Sequence, residues 1–390
     1  TAYDIRLSLV GSEMCIRDSR QPKARFILRA TTLVTAAIDP PPRFRSKLHF
    51  MPTPIALEHA DLVAHAALRT GAVAFHRPDL HHLEFSGPKA ADALTGLVTN
   101  NVLALGIGQG QYAAALTAKG RIVADLRILR IAEERYLTTT GAAAWPGWRD
   151  LVRKFVNPRL AKYAEAEFET IAVHGPLAHT AINDALTTLG TTSPLSFARA
   201  PYACATVIIG DVTVTLAESP SLGDIPGLEL LGPSSVAANI LDAITRDDVA
   251  VTGSEPLWEV ARVEAGHPAW GRDMDETTIP QEANLGDLGA LSFDKGCYTG
   301  QETVARIHFR GHVNRHLRVI TSNVPLPVTS ELRADDGKVI GDVRSSVISP
   351  IKGPLAIAMV RREFEPGAQV NVAWVDADGS DVAVTARVER

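Results

Sequence analysis

The chain has 390 residues, 46% hydrophobic and 21% charged, with a formal charge of −5, which is too long for one ordinary core and composed like a soluble globular protein. The longest apolar candidate, 203–216, is broken by Asp211, so no stretch of about 18 apolar residues is available to cross a bilayer, and no membrane partner is expected. Three cysteines, Cys15, Cys204 and Cys297, exclude a disulfide framework, and the acidic balance argues against a surface wholly built for nucleic acid while leaving local basic patches open; a monomer without direct nucleic-acid binding is expected.

Residues 1–50 read apart from the rest. They carry nine Lys/Arg against four Asp/Glu, whereas 51–390 carry thirty against forty. A basic leader with few acids fits a mitochondrial transit peptide, but LSLVGSEMCIRDS at 7–19 reads like a translated adapter remnant. The preferred reading is a non-native or disordered leader, and Cys15 is set aside with it.

From Met51 the pattern becomes orderly. IALEHADLVAHAAL has the spacing of an amphipathic helix, and LHHLEFSGPKAADALTGLVTNNV reads as a strand followed by a helix over 89–98. The loop with Gly106, Gly108 and Gly110 lacks the spacing of a phosphate loop and reads as a turn. QYAAALTAKGRIVADLRILRI predicts two strands joined at Lys119 and Gly120, RYLTTTG a third, and 146–155 a helix. Residues 51–163 are thus expected to form an N-terminal α+β domain, completed by about 250–310.

Residues 164–249 alternate strands (FETIAVHG, ATVIIG, VTVTLAE) with helical patterns (PLAHTAINDALTTLG, SSVAANILDAITR), predicting a second, ferredoxin-like α+β domain. Cys204 falls in an apolar strand and reads as core. Beyond Gly311, short strands separated by turn signals such as Asp336-Gly337 predict a small all-β barrel over 311–390.

The densest polar motif is Asp294-Lys295-Gly296-Cys297-Tyr298-Thr299-Gly300-Gln301-Glu302, followed by a helical ETVARIH. Gly296 and Gly300 permit tight turns and close approach to a ligand. Cys297, near a helix N-terminus and two residues from Lys295, has two features that favour a thiolate, which attacks electrophiles, ligates soft metals or forms mixed disulfides. The plainer alternative is a small buried cysteine beside a surface lysine. His308, His312 and His316 stand four apart, but Gly311 interrupts them and no metal site is expected. Arg306, Arg310 and Arg315 read as a basic surface that meets an anionic ligand tail or an acidic partner.

KGCYTGQE resembles the signature of the YgfZ family, the bacterial folate-binding relatives of the glycine-cleavage T-protein, whose mitochondrial counterpart serves iron–sulfur cluster assembly. RVEAG at 262–266 with GRDMDET at 271–277 and Ile279-Pro280 resembles the central folate-site segment of the T-protein; SGPKAADALTGLVTNNV and TAKGRIVADLRILR resemble the start of its N-terminal domain. The resemblance runs from about Gly71 to the C-terminus. It implies an α+β three-domain cloverleaf around a folate-sized channel, closed by the C-terminal barrel, with tetrahydrofolate or a derivative as cofactor. It also implies that Glu264 recognises the pterin, where a carboxylate can accept paired N–H donors, with Arg262, Trp270, Tyr298, Gln301 and Glu302 alongside; Trp258 and Trp270 can stack on an aromatic ring.

In the aminomethyltransferase pattern an Asp follows the Asn of TND, and this chain has Thr99-Asn100-Asn101. The Asn101 amide can hydrogen-bond to folate but cannot serve as a general base, so glycine-cleavage activity is not expected. The resemblance implies instead a tetrahydrofolate-binding accessory protein for iron–sulfur enzymes, including those that thiolate tRNA, in which Cys297 and Lys295 carry the chemistry. The alternative is a folate-dependent one-carbon transferase or demethylase. A cytoplasmic setting is expected, or the mitochondrial matrix if the leader is a transit peptide.

Overall fold

A computed structural model describes residues 53–191, 197–246 and 249–389; Cys15 and the leader lie outside the described residues. The fold is α+β, built on three sheets. Helix α1 (His59–Thr70) leads into β1 (Val73–Arg77), and two residues later β2 (Leu80–Ser86) begins in a different sheet. Arg77 clamps that crossing by donating to both carboxylate oxygens of Asp79, at 2.8 and 2.7 Å.

The five-stranded sheet is ordered β3-β4-β5-β2-β6 and antiparallel throughout, with β3 (Gly110–Leu116), β4 (Ile122–Ala132), β5 (Arg135–Gly141) and β6 (Lys162–Ala166). One face is covered by α2 (Ala90–Leu97) and α3 (Trp145–Phe155), whose Leu94, Trp148 and Val152 bury against Phe85, Leu126 and Ile128. Both helices occupy the stretches read as helical in the sequence.

β1 belongs to a six-stranded sheet ordered β11-β1-β7-β10-β9-β8. Its partners are β7 (Glu169–His174), β8 (Cys204–Ile209), β9 (Val212–Glu218), β10 (Gly227–Gly232) and β11 (Val251–Gly253). Only β1 with β11 is a parallel pair. Helices α4 (Ala178–Thr188) and α5 (Ser234–Thr245) cover one face, where Ile182, Ile240 and Ile244 meet Ile171, Leu228 and Leu230. The other face packs on α1 and on α6 (Glu255–Ala265) through Phe75, Leu68 and Leu257. Residues from the first segment of the chain therefore complete the sheet of the second.

Helix α6 has sharp local signals at both ends. Ser254 caps it, accepting from the Leu257 N–H at 3.2 Å, Pro256 sits in its first turn, and Gly266 ends it in the left-handed region at φ 67°. Residues Leu257 to Glu264 are all buried. After α7 (Gln301–Arg310), strands β12 (Arg315–Ser322), β13 (Glu331–Arg333), β14 (Val339–Ser349), β15 (Gly353–Arg361), β16 (Gln369–Val375) and β17 (Asp381–Val388) close into a barrel ordered β12-β15-β14-β13-β16-β17, entirely antiparallel. This is the barrel the turn signals predicted. No helix among the described residues is long and apolar enough to cross a membrane.

Candidate functional site

A cavity of about 490 Å³ opens between the five-stranded and six-stranded sheets, with α6 and the loop after it as its third wall. Its aromatic surface comes from Phe75, Tyr112, Tyr202, Trp258 and Trp270. The volume lies within the roughly 300–1,000 Å³ that small-molecule sites occupy, and apolar walls with a few fixed polar groups are the usual makeup of such sites.

Two of the polar groups come from β4. In IVADLRIL the apolar Ala124, Leu126 and Ile128 point into the core beneath α2 and α3, so period-two alternation turns Asp125 and Arg127 toward the cavity. Tyr112 donates to Asp125 Oδ2 at 2.7 Å. Burial raises the Asp125 pKa, and it outweighs the opposing pull of the Tyr112 hydroxyl and the Arg127 charge. Arg127 pairs with Glu229 of β10, binding the two sheets across the cavity. Glu229 also accepts from Ser219 at 2.8 Å. Burial alone would raise its pKa; the Arg127 charge and these hydrogen bonds win and hold it below the usual carboxylate range.

On α6 the residues at helical spacing, Glu255, Trp258, Glu259 and Arg262, face the cavity. Arg77 lies over the Trp258 ring, 3.9 Å from its centroid. Arg262 is fully engaged, donating to both oxygens of Glu259, to Asp273 Oδ2 at 2.6 Å, to the His267 carbonyl and to Ser345 of the barrel. Burial next to that guanidinium pushes the His267 pKa down to about 4, leaving a neutral ring on the wall. The indole N–H of Trp270 donates to the Val123 carbonyl, which fixes the ring at the edge of β4.

Of the residues read from the sequence as cofactor-binding, Trp270 and Arg262 line the cavity, and so does Trp258. Glu264 does not. It lies on the opposite side of α6, 5% exposed, and its oxygens accept from His65 at 2.8 Å, Ser349 at 2.5 Å and Arg69 at 2.7 Å. Burial would raise its pKa, but those three donors hold it low. Glu264 ties α1, α6 and the barrel together. Asn101 is also away from the cavity, at the start of a short 3₁₀ turn where its N–H donates to Asn100 Oδ1. Asn101 therefore does not meet the acids that line the cavity, Asp79, Asp125, Glu229, Glu255 and Glu259. Sequence reading passed over Asp125, though polar residues two apart in an otherwise apolar strand were a usable signal for a polar-lined face.

The KGCYTGQE loop forms a separate feature. Cys297 is exposed, three residues before the αL residue Gly300 that starts α7. Lys295 is not a surface charge: it is buried, and its ammonium donates to the carbonyls of Thr95 and Val98 at the C-terminal end of α2, with the Tyr298 ring 4.4 Å away. A lysine there meets helix carbonyls that have no partner within the helix. Burial lowers its pKa to about 8. Tyr298 is core, its pKa pushed up to about 12 by burial. Gln301 turns back to accept from the Tyr298 N–H at 3.3 Å, and Glu302 is an exposed acid in the first turn of α7. The close approach at Gly300 is to the protein itself: a Cβ there would lie 2.5 Å from the Thr117 carbonyl, whereas Gly296 faces open space. Helix α7 ends at Arg310, so the three histidines do not share a helix, and among the described residues no group of three or more His, Cys, Asp or Glu side chains is placed to hold a metal.

The fold is similar to that of a solved structure, the glycine cleavage system aminomethyltransferase T from Bartonella henselae, with a TM-score of 0.74, 21% identity, and 87% of this chain and 90% of that one covered. Residues 36–293 match the GCVT N-terminal domain family. A relative described as tRNA-modifying protein YgfZ, from Klebsiella pneumoniae (strain 342), is 34% identical over 253 residues, covering 62% of this chain and 69% of that protein. An aminomethyltransferase from Saccharopolyspora erythraea is 28% identical over 338 residues, covering 83% and 88%. The chain belongs to the glycine-cleavage T-protein superfamily and is a YgfZ-type member of it.

Proposed function

We propose that the chain binds a reduced folate in the cavity between its two sheets and serves tRNA modification by supporting iron–sulfur enzymes in the cytoplasm. The observation that carries the folate reading is the cavity wall: aromatic faces from Tyr112, Trp258 and Trp270 beside the carboxyl of Asp125, in a space of about 490 Å³. A pterin offers a flat ring for those faces and amino and ring N–H groups for a carboxylate. Arg77 and Arg272 are also on the lining, Arg77 paired with Asp79 and Arg272 with Glu255 and Glu259, so the carboxylates of a glutamate tail would compete with these acids for the guanidiniums. Folate bound here would lie between β4 and α6, with water kept from the ring by the two sheets.

Cys297 is assigned the reactive role, exposed on its loop and outside the cavity lining. Lys295 supports it by fixing the loop on α2 rather than by touching a substrate. The experiment is a pair of measurements: tetrahydrofolate binding by Cys297→Ala in vitro, and the thiolated tRNA content of cells carrying the same change. Binding should be retained while thiolation falls. Full thiolation without the thiol would remove Cys297 from the mechanism.

A second reading, folate-dependent one-carbon transfer, is favoured by one observation, the Asp125 carboxyl facing the cavity. Formation of methylenetetrahydrofolate from an amine donor, abolished by Asp125→Asn, would establish it; the main reading predicts none.

A further inference from the structure

We propose that the exposed end of α7 and the strand turn beside it form a docking surface for a looped, single-stranded segment of RNA. Val304 is the one buried residue of α7. Three rings gather at its far end. Phe293 stacks on His308 with centroids 3.6 Å apart and planes 12° apart, and Phe309 stands edge-on to His308 at 4.7 Å and to Phe293 at 6.2 Å. Phe293 packs against the core cluster beneath, so the stack is anchored, while Phe309 is 68% exposed.

Arg306 and Arg310, on either side of Phe309, are exposed, and neither guanidinium has an ion-pair or hydrogen-bond partner among the described residues, although exposed Asp294 adjoins Phe293 and exposed Glu302 precedes Arg306 by one turn. The backbone N–H of Arg362, a third exposed arginine without an ion pair among the described residues, donates at 3.0 Å to the carbonyl of Asn314, four residues past the helix end. Their neighbours are spent, Arg315 on Glu282 and Arg361 on Glu363. In a chain of net charge −5 this is a local reversal of sign.

An ordinary solvated helix face accounts for the arginines and not for a large exposed ring held between them. An acidic polypeptide would use the arginines and leave the ring stack idle. Unpaired RNA uses both, with phosphates on the guanidiniums and bases on the aromatic faces. The site also lies close to the exposed thiol, since Cys297 follows Phe293 by four residues and is therefore within about 14 Å of it along the chain. The surface is not part of the cavity lining. The inference rests on the proposed role in tRNA modification only for the choice of RNA.

The test is fluorescence anisotropy of the full chain with a fluorescein-labelled RNA hairpin carrying a single-stranded loop, between about 50 and 200 mM salt. Saturable binding is expected, with a salt slope that falls by about one for each of Arg306→Gln and Arg310→Gln. Phe309→Ala should weaken the hairpin about tenfold and leave the slope unchanged, the size of one lost stacking contact. All three side chains are exposed, so the thermal midpoints of these variants should match the wild type and confirm that folding is intact. The inference fails if no saturable binding is seen at low salt, if the variants bind like the wild type, or if polyglutamate competes as well as unlabelled RNA. Titrating the same preparations with tetrahydrofolate separates the readings: hairpin binding without folate binding would sink the cavity assignment alone, and the reverse would sink this one.

Discussion

Burying an ammonium group is costly unless acceptors meet it, and Lys295 meets two at the end of α2. Lys295→Met should leave the Thr95 and Val98 carbonyls unsatisfied and cost about 1–3 kcal/mol, read by urea denaturation. The pH dependence has a definite sign. The folded pKa of about 8 lies below the ordinary 10.5, so between these values the unfolded chain holds more protons and stability rises with pH. Wild type should therefore gain on Lys295→Met from pH 8 to 10.5, with a constant difference below pH 8; a difference that shrinks over that range would contradict the buried placement. The motif's glycines divide in the same way. Gly300, at φ 83° and against the Thr117 carbonyl, should lose more than about 1 kcal/mol as Gly300→Ala, while Gly296→Ala should be nearly neutral. The sequence made the motif visible as a unit but could not assign its members, because whether Lys295 reaches a thiol or a helix end depends on where α2 lies, some 200 residues earlier in the chain.

Among the elements, α6 does the most positioning. One side presents Trp258, Glu259 and Arg262 to the cavity, and the other uses Glu264 to hold α1 and the barrel. Arg262→Ala would strand the buried carboxylate of Asp273 and leave Glu259 with Arg272 alone, and about 3–5 kcal/mol of stability should be lost in chemical denaturation. A loss below 1 kcal/mol would mean that the network is not closed as described. Period and end signals made most elements legible: α2 at Ala90–Leu97, α3 at Trp145–Phe155, and the β3–β4 pair around Gly120. What they left undetermined was facing. RVEAG contains both a cavity residue and a cross-link two positions apart, and helical period alone does not say which side of a fully buried helix meets the ligand. β4 carries the same ambiguity: its alternation separates two faces without saying which one Asp125 shares with a ligand.

At the scale of the whole molecule, the cavity exists because β1 leaves the first segment of the chain to join the sheet of the second, so that Arg127 and Glu229 meet across the gap between the sheets. The sequence resemblance implied a folate-sized channel without its walls, since those walls come from residues more than 100 positions apart. The decisive measurement is calorimetric titration of tetrahydrofolate, under anaerobic conditions, into wild type, Asp125→Ala and Glu264→Gln, at a temperature where all three are folded. Wild type should bind, Asp125→Ala should bind at least tenfold more weakly, and Glu264→Gln, whose side chain holds the scaffold, should keep near wild-type affinity. Loss of binding with Glu264→Gln and none with Asp125→Ala would place the ligand outside the cavity and contradict the account.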